Sequence, residues 1–407
     1  MSNDKTVVTE INITASSDYS LQWNRWAMKS IGTWPQFSSN LERNISRILN
    51  VICYTAILFS IIPCSLHLML EKGTFYTKVK ILGSLSHWVF CIISYTMLLL
   101  RRKTIRHFFN HMETDWRTTT RKEKKEVMLK YAKFSRYAAI SCTIFIHGGI
   151  LGYCVMTAST TMVVVVGNKT TILRVLPLPM YKGLLPVDTN TMNDIVVLSQ
   201  FLSGFIANNS AISVISLTSA LTSHASGQLS VVMLSIEDFV SEARRRGKDD
   251  HFDEIPTIVE EHLRVLNFIS RIEAMMNKAC FLELMRCMIA VCALGYYIFM
   301  VDEWAESDAK ILITYFVALV AIVSNTFILC YISERLTEQC LKVGEVVYMT
   351  DWYYLPQRRI LDLILIIKRS NVVVKVTAGK VLHMSLYTFG DVVKTGFAYM
   401  NMLCQMS

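Results

Sequence analysis

Charge is scarce in this chain. Asp, Glu, Lys and Arg make up 18% of its 407 residues, where an ordinary soluble domain carries roughly 25%. Glycine and proline are sparse as well, at 16 and 7, and no low-complexity run or fixed-period repeat interrupts the sequence. Linker-rich, collagen-like and solenoid architectures are thereby excluded. The eleven cysteines form no Cys-x-x-Cys pair and no zinc-finger spacing. Most, such as Cys53, Cys64, Cys91 and Cys142, stand inside apolar runs and read as packed free thiols. His107 and His111 have i, i+4 spacing but no evident carboxylate or Cys partner nearby, so neither a metal nor a cofactor is expected. The signatures of catalysis are missing too: no P-loop, no Gly-x-Ser-x-Gly, no His-Glu-x-x-His and no glycine-rich dinucleotide fingerprint, so the chain does not read as an enzyme. The polar N-terminus, MSNDKTVVTEINITASSDYS, has none of the apolar core of a cleavable signal peptide, and the first long apolar run is expected to act as a signal-anchor.

What the chain has instead is apolar length. Hydrophobic residues make up 52%, and seven runs approach the roughly 20 apolar residues needed to cross a bilayer: 45–70, 79–100, 137–159, 195–221, 281–301, 311–332 and 376–405. The expectation is an all-α, polytopic membrane protein with seven transmembrane helices. The net charge of +9 sits between these runs rather than in one patch, which reads as a topology signal and not as a nucleic-acid face. With the N-terminus in the cytoplasm, the inner segments 1–50, 101–136, 223–279 and 334–375 hold 31 of the 41 Lys and Arg. The positive-inside rule then predicts a cytoplasmic N-terminus and an extracellular C-terminus. Asn168-Lys169-Thr170 is a glycosylation sequon in the longest outer segment, consistent with that orientation. A second, Asn208-Asn209-Ser210, falls within the fourth span, where it would be inaccessible.

The inner segments carry helical patterning. RKEKKEVMLKYAKFSR (121–136) interleaves charge with apolar residues, and 257–278 places Val259, Leu263, Leu266 and Ile269 on one stripe. Both are expected to extend membrane helices into the cytoplasm. The stretch after the sixth span reads as a helix, a break near Pro356 and a second short helix. The chain thus divides into a cytoplasmic N-terminal segment (1–44), spans one to four (45–222), a cytoplasmic helical loop (223–280), spans five and six (281–333), anchor helices (334–375) and a last helix (376–407).

Four stretches carry a family resemblance: TAGKVLHMSLYTFGDVVKTGFAYMNMLCQ (377–405), VVYMTDWYYLP with the following IIKRSN, EEHLRVLNFISRIEAMMN (260–277) and LLPVDTN (184–190). Together with length, helix count and topology, they make the chain resemble the insect odorant receptors, most specifically in its last third. The resemblance implies a seven-helix subunit of a tetrameric, odorant-gated, non-selective cation channel. Its subunits meet through a cytoplasmic anchor, and its last helix splits into a cytoplasmic and a pore-lining part. The chain looks like a tuning subunit that assembles with a shared odorant co-receptor, since the co-receptor's insertion is absent from 223–279. The implied location is the plasma membrane of olfactory neurons, and the implied partners are that co-receptor, membrane lipid and small volatile ligands.

By the same resemblance Met402 and Met406, with Gln405 beside them, match the pore gate, where the family more often carries Val or Leu. Apolar rings gate by dewetting. The odorant pocket is implied among the outer halves of helices two to six. Candidates there are His87 and Trp88, then His147, Leu151 and Tyr153, then Phe201 and Phe205, then Tyr296 and Tyr297, and last Tyr315 and Phe316. Asp391 and Lys394, three residues apart in the last run, are expected to pair. Two other chemoreceptor readings compete. A G-protein-coupled receptor is opposed by the charge bias and by the missing Asp-Arg-Tyr-like signature. A gustatory receptor is opposed by the SLYTF block and by an ending that keeps only Tyr399 and Gln405 of that family's pattern.

Overall fold

The computed structural model describes residues 18–166, 169–181, 183–184, 189–246, 254–300, 306–372 and 374–406. A short helix α1 (18–30) precedes α2 (Asn40–Leu70), α3 (Phe75–Leu100), α4 (Arg102–Thr118) and α5 (Lys122–Ser159). An antiparallel hairpin of β1 (Thr161–Val166) and β2 (Lys169–Arg174) follows, with Val166 opposite Lys169. Then come α6 (Asn190–Arg246), α7 (Glu254–Phe299), α8 (Glu306–Met349), a 3₁₀ turn (Trp352–Tyr354) and α9 (Gln357–Ser370). The chain closes with a second small hairpin, β3 (Thr377–Ala378) with β4 (Leu382–His383), and α10 (Leu386–Met406).

Among the described residues five helices, α2, α3, α6, α7 and α8, are long and apolar enough to cross a membrane by length and composition. The other two expected spans fall in α5 and α10. The helices differ in what covers them. The most apolar window of α2 is only 28% buried, whereas those of α6 and α7 are 67% buried. Helix α2 turns a narrow stripe of Ser46, Cys53, Ile57, Ser60 and Cys64 inward and leaves Ile45, Val51, Ile52, Phe59 and Ile62 exposed. An apolar face with no protein partner suits hydrocarbon as its solvent.

Helix α6 is the axis of the bundle. Asn208, Ser210, Ser213, Ser216, Thr218, Ser219 and Thr222 are all buried. Small side chains let neighbouring helices approach closely in a membrane. Thr218, Thr222 and Ser226 each donate to the carbonyl four residues back, at 2.7–3.0 Å, while Ser210 and Ser219 bond Cys91 O of α3 and Ser135 of α5. At 57 residues, α6 is about 85 Å long, far beyond a hydrocarbon core of about 30 Å. The ends of α6, α7 and α8 therefore project as a second bundle, packed with α1, α4 and α9 through Phe108, Phe109, Phe239, Ile269, Leu336 and Ile366. This is the helical extension expected for 121–136 and 257–278, and the break near Pro356 separates α8 from α9.

A buried carboxylate fastens this second bundle. Asp115 on α4 is 2% exposed. It accepts from His224 Nε2 of α6 at 2.9 Å and from Arg264 of α7, and lies 3.5 Å from His111 Nε2. Burial holds His111 below the ordinary histidine range, with Asp115 pulling it partly back. The expectation that His111 lacks a local carboxylate is thus corrected: Asp115, one turn on, is its partner. Among the described residues no group of three or more His, Cys, Asp or Glu is placed to hold a metal ion.

The last run also differs from expectation. The span read as 376–405 is helical only from Leu386, because 377–383 fold back on themselves. Gly379 and Lys380 both take positive φ, at 62° and 63°, the geometry a tight hairpin loop demands and a helix forbids. The hairpin docks on α7: Gly379 N donates to Asn277 O at 2.8 Å, and a Cβ at position 379 would stand 3.2 Å from the Phe281 ring. Ser385 then caps α10 by accepting from Thr388 N at 3.2 Å.

Candidate ligand cavity and last helix

Five helices, α3, α5, α6, α7 and α8, enclose a cavity of about 80 Å³. Small residues leave the room: Gly83, Gly149, Ala290, Ala318 and Ala321 border it. Trp88, Ile146, Leu294 and Ile322 supply apolar wall, and Tyr153 and Tyr315 a further aromatic side. One part of the lining is polar. His87 Nε2 is 3.2 Å from Asn208 Oδ1, and Asn208 Nδ2 donates to Ile146 O at 3.3 Å. Trp88 Nε1 donates to Ser203 Oγ at 2.9 Å. Arg286 also reaches the cavity, buried together with its ion-pair partner Glu283.

Of the residues singled out in the sequence, His87, Trp88, Tyr153 and Tyr315 line this cavity. Tyr297 stands behind it, its ring 4.5 Å from that of Tyr315 and stacked on Tyr76 at 5.4 Å. Lys80 Nζ lies 4.8 Å from the centre of the same Tyr297 ring, a cation–π contact. Five candidates lie elsewhere. His147 stacks on Phe205 at 5.1 Å, and Phe205 is largely exposed. Phe201 is half-buried and Phe316 exposed, neither on the cavity lining. Tyr296 turns to another face of α7. The side chain of Leu151, and Asn168 with its sequon, lie outside the described residues. Asn208 of the second sequon is buried in α6.

Neighbours on one helix point about 100° apart, so Tyr296 and Tyr297 address different partners. Tyr297 faces the cavity's aromatic side. Tyr296 packs with Val79 and Ala293 against Met400, Leu403 and Cys404 of α10. Tyr76 touches both rings. Helices α7 and α10 meet at glycines: a Cβ on Gly295 would fall 2.7 Å from Met400 Sδ, and one on Gly396 would fall 2.8 Å from the Val291 side chain. Replacing Gly396 by Val is therefore expected to force α10 off α7, at a cost of about 1–3 kcal/mol. A lowered melting temperature of the purified protein would register it; an unchanged one would mean the contact is loose.

The opposite face of α10 is uncovered. Met402 is 52% and Met406 67% exposed. Asp391, Thr395, Ala398 and Gln405 share their stripe and are exposed as well. Among the described residues no ion pair joins Asp391 to Lys394, so the expected pairing within the helix does not form. Both charges instead stand on exposed positions.

Long helices with lipid-suited faces, gathered round a small cavity, define a polytopic helical membrane protein. Residues 77–397 match the family described as 7tm Odorant receptor, and the chain belongs to that family. It is 20% identical to Odorant receptor 10 of Aedes albopictus over 36% of this chain, 19% to Odorant receptor 22b of Drosophila melanogaster over 40%, and 23% to Odorant receptor Or2 of Anopheles gambiae over 37%. Those alignments span 38–40% of each relative's length. The insect olfactory receptor OR5 of Machilis hrabei, solved alone and in complex with eugenol, shares the fold. In the complex its TM-score is 0.76 at 14% identity, covering 98% of this chain and 99% of that one. The structure without eugenol gives 0.74, covering 96% and 100%.

Proposed function

We propose that this chain is the odorant-tuning subunit of a ligand-gated, non-selective cation channel in the plasma membrane of olfactory sensory neurons. It assembles there as a heterotetramer with a shared co-receptor. The observation that carries the reading is the back-to-back placement of Tyr297 toward the cavity and Tyr296 toward α10. That OR5 was solved in complex with eugenol supports a small volatile as the ligand. In this reading α2, α3 and α5–α8, with α10, make the seven spans, the N-terminus is cytoplasmic, the C-terminus and Asn168 are extracellular, and the segments 223–280 and 334–375 build the subunit anchor.

A gating mechanism follows from size. A cavity of about 150 Å³ holds benzene, and this one is about half that. A ring-sized odorant enters only by moving a wall, so it binds the moved arrangement better, and that differential affinity is what shifts a gating equilibrium. The wall that moves is the Tyr153–Tyr315–Tyr297 side. Its displacement travels through α7 to Met400 and α10, and the uncovered stripe with Met402, Gln405 and Met406 lines the pore. Whole-cell current in cells lacking their own chemoreceptors, with and without the co-receptor and with GDP-β-S in the pipette, tests this. A fast cation current that requires the co-receptor and survives the block is expected; one abolished by the block would replace the channel reading with G-protein signalling.

A further inference from the structure

Glu283 and Arg286 are each 3% exposed at the side chain. Two charges buried within the span of α7 are costly unless paired and fully hydrogen-bonded. The pairing is half complete. Arg286 Nε donates to Glu283 Oε2 at 3.0 Å, and Nη2 donates to the same oxygen. Among the described residues Nη1 has no protein acceptor, and Arg286 borders the cavity. A guanidinium NH₂ turned toward an apolar space lacks the acceptor it would have in water.

His87 presents the complementary group. Because Asn208 Nδ2 donates to Ile146 O, its Oδ1 is the acceptor facing His87, and His87 Nε2 carries the proton. A neutral imidazole protonated at Nε2 has a lone pair on Nδ1. Ser86 Oγ and Tyr153 Oη on the same lining already donate to backbone carbonyls; Arg286 Nη1 and His87 Nδ1 add one charged donor and one ring acceptor to walls formed largely by Ala290, Leu294, Ala318, Ala321 and Ile322.

We infer that this cavity, taken as the ligand site proposed above, selects neutral oxygenated volatiles, docking their oxygen on Arg286 Nη1 and His87 Nδ1. A hydroxyl satisfies both groups, since it accepts from Arg286 and donates to His87. A carbonyl satisfies Arg286 alone. A hydrocarbon of the same shape leaves both bare, and a protonated amine sets a second cation beside the guanidinium. The order of affinity is alcohol, then carbonyl, then hydrocarbon, with the amine last.

The test is a titration of the purified full-length receptor in nanodiscs with four probes of one chain length: n-pentanol, pentanal, n-hexane and pentylamine. Tryptophan fluorescence is read against a Trp88→Phe control. Pentanol is expected to bind about tenfold more tightly than hexane. Removing the ion pair as a unit, in Glu283→Leu/Arg286→Met, leaves no orphaned charge and should bring carbonyl and hydrocarbon together, while the alcohol keeps its bond to His87. His87→Phe should erase the edge of pentanol over pentanal and keep that of pentanal over hexane. Equal binding of pentanol and hexane to the wild type, a preference of pentanal over hexane that survives the double variant, or no binding of either oxygenated probe overturns the inference. Ala318→Phe separates this from the site reading. If it abolishes all binding while the wild type shows no oxygen preference, the cavity stands as the site and only the inference fails; if it leaves binding untouched, the site reading itself fails.

Discussion

Replacing Ala318 by Phe is expected to abolish the odorant-evoked current of the assembled receptor while the protein still reaches the cell surface. The cavity measures about 80 Å³, and a benzene-sized group needs about 150 Å³, so a phenyl ring at position 318 fills it and presses on its walls. Overpacking of this kind costs about 1–3 kcal/mol, which a large helical bundle tolerates better than a ligand competing for the same space. Gly149→Ala is the graded control. A Cβ there would sit 3.5 Å from Ala321 Cβ and 3.6 Å from Ala318 Cα, ordinary contact distances. It should fold normally and weaken the response by only about three- to tenfold, since one methyl is worth about 1 kcal/mol. Surface biotinylation beside dose–response recording checks both variants. An Ala318→Phe receptor with wild-type potency would remove this cavity from the mechanism.

Met402→Ser is expected to raise the resting current about tenfold without any odorant. An apolar constriction holds a pore shut because water is unstable between methionine side chains, and a hydroxyl in their place lets water, then cations, remain. Met402 lies on the exposed stripe of α10. Met400, two residues away, packs against Tyr296 and Gly295 instead, so Met400→Ser should lower stability and add no leak. The comparison is made as baseline current before and after replacing external sodium by N-methyl-D-glucamine. Resting current unchanged in Met402→Ser, with the odorant response intact, would mean that this stripe is not the gate.

The spans were legible because apolar length is a one-dimensional property: α2, α3, α6, α7 and α8 each contain the run that marks them. The helical extensions were legible for a similar reason, since charge alternating with Val, Leu and Ile at helical spacing has few other interpretations. The β3–β4 hairpin was not, because Thr377-Ala378-Gly379-Lys380-Val381-Leu382-His383 is apolar enough to pass as more helix. Only the positive φ of Gly379 and Lys380 separates the two, and no composition encodes it. In the cavity, aromatic candidates such as Trp88 and Tyr315 were visible as types, but Ala290, Ala318 and Ala321 make room by being small, which no motif announces. Glu283 and Arg286 did leave a signal. Two ionisable residues inside the span 281–301 mark a functional place by their cost in a membrane, a signal carried by charge and not by aromatic or histidine content.

The hydrogen bonds around the cavity divide it in two. On one side they run between helices: Trp88 of α3 to Ser203 of α6, His87 to Asn208, and Ser210 Oγ to Cys91 O at 3.0 Å. On the other Arg286 bonds Glu283 of its own α7, and Lys80 Nζ of α3 reaches Tyr297 Oη of α7 only at 3.4 Å. Helices α3 and α6 are thus riveted into one plate, while α7 rests against that plate mainly on small and apolar side chains. A guest forced into the seam acts as a wedge. It has only the long Lys80–Tyr297 bond to break, the plate does not give, and the stroke passes to the helix that carries α10.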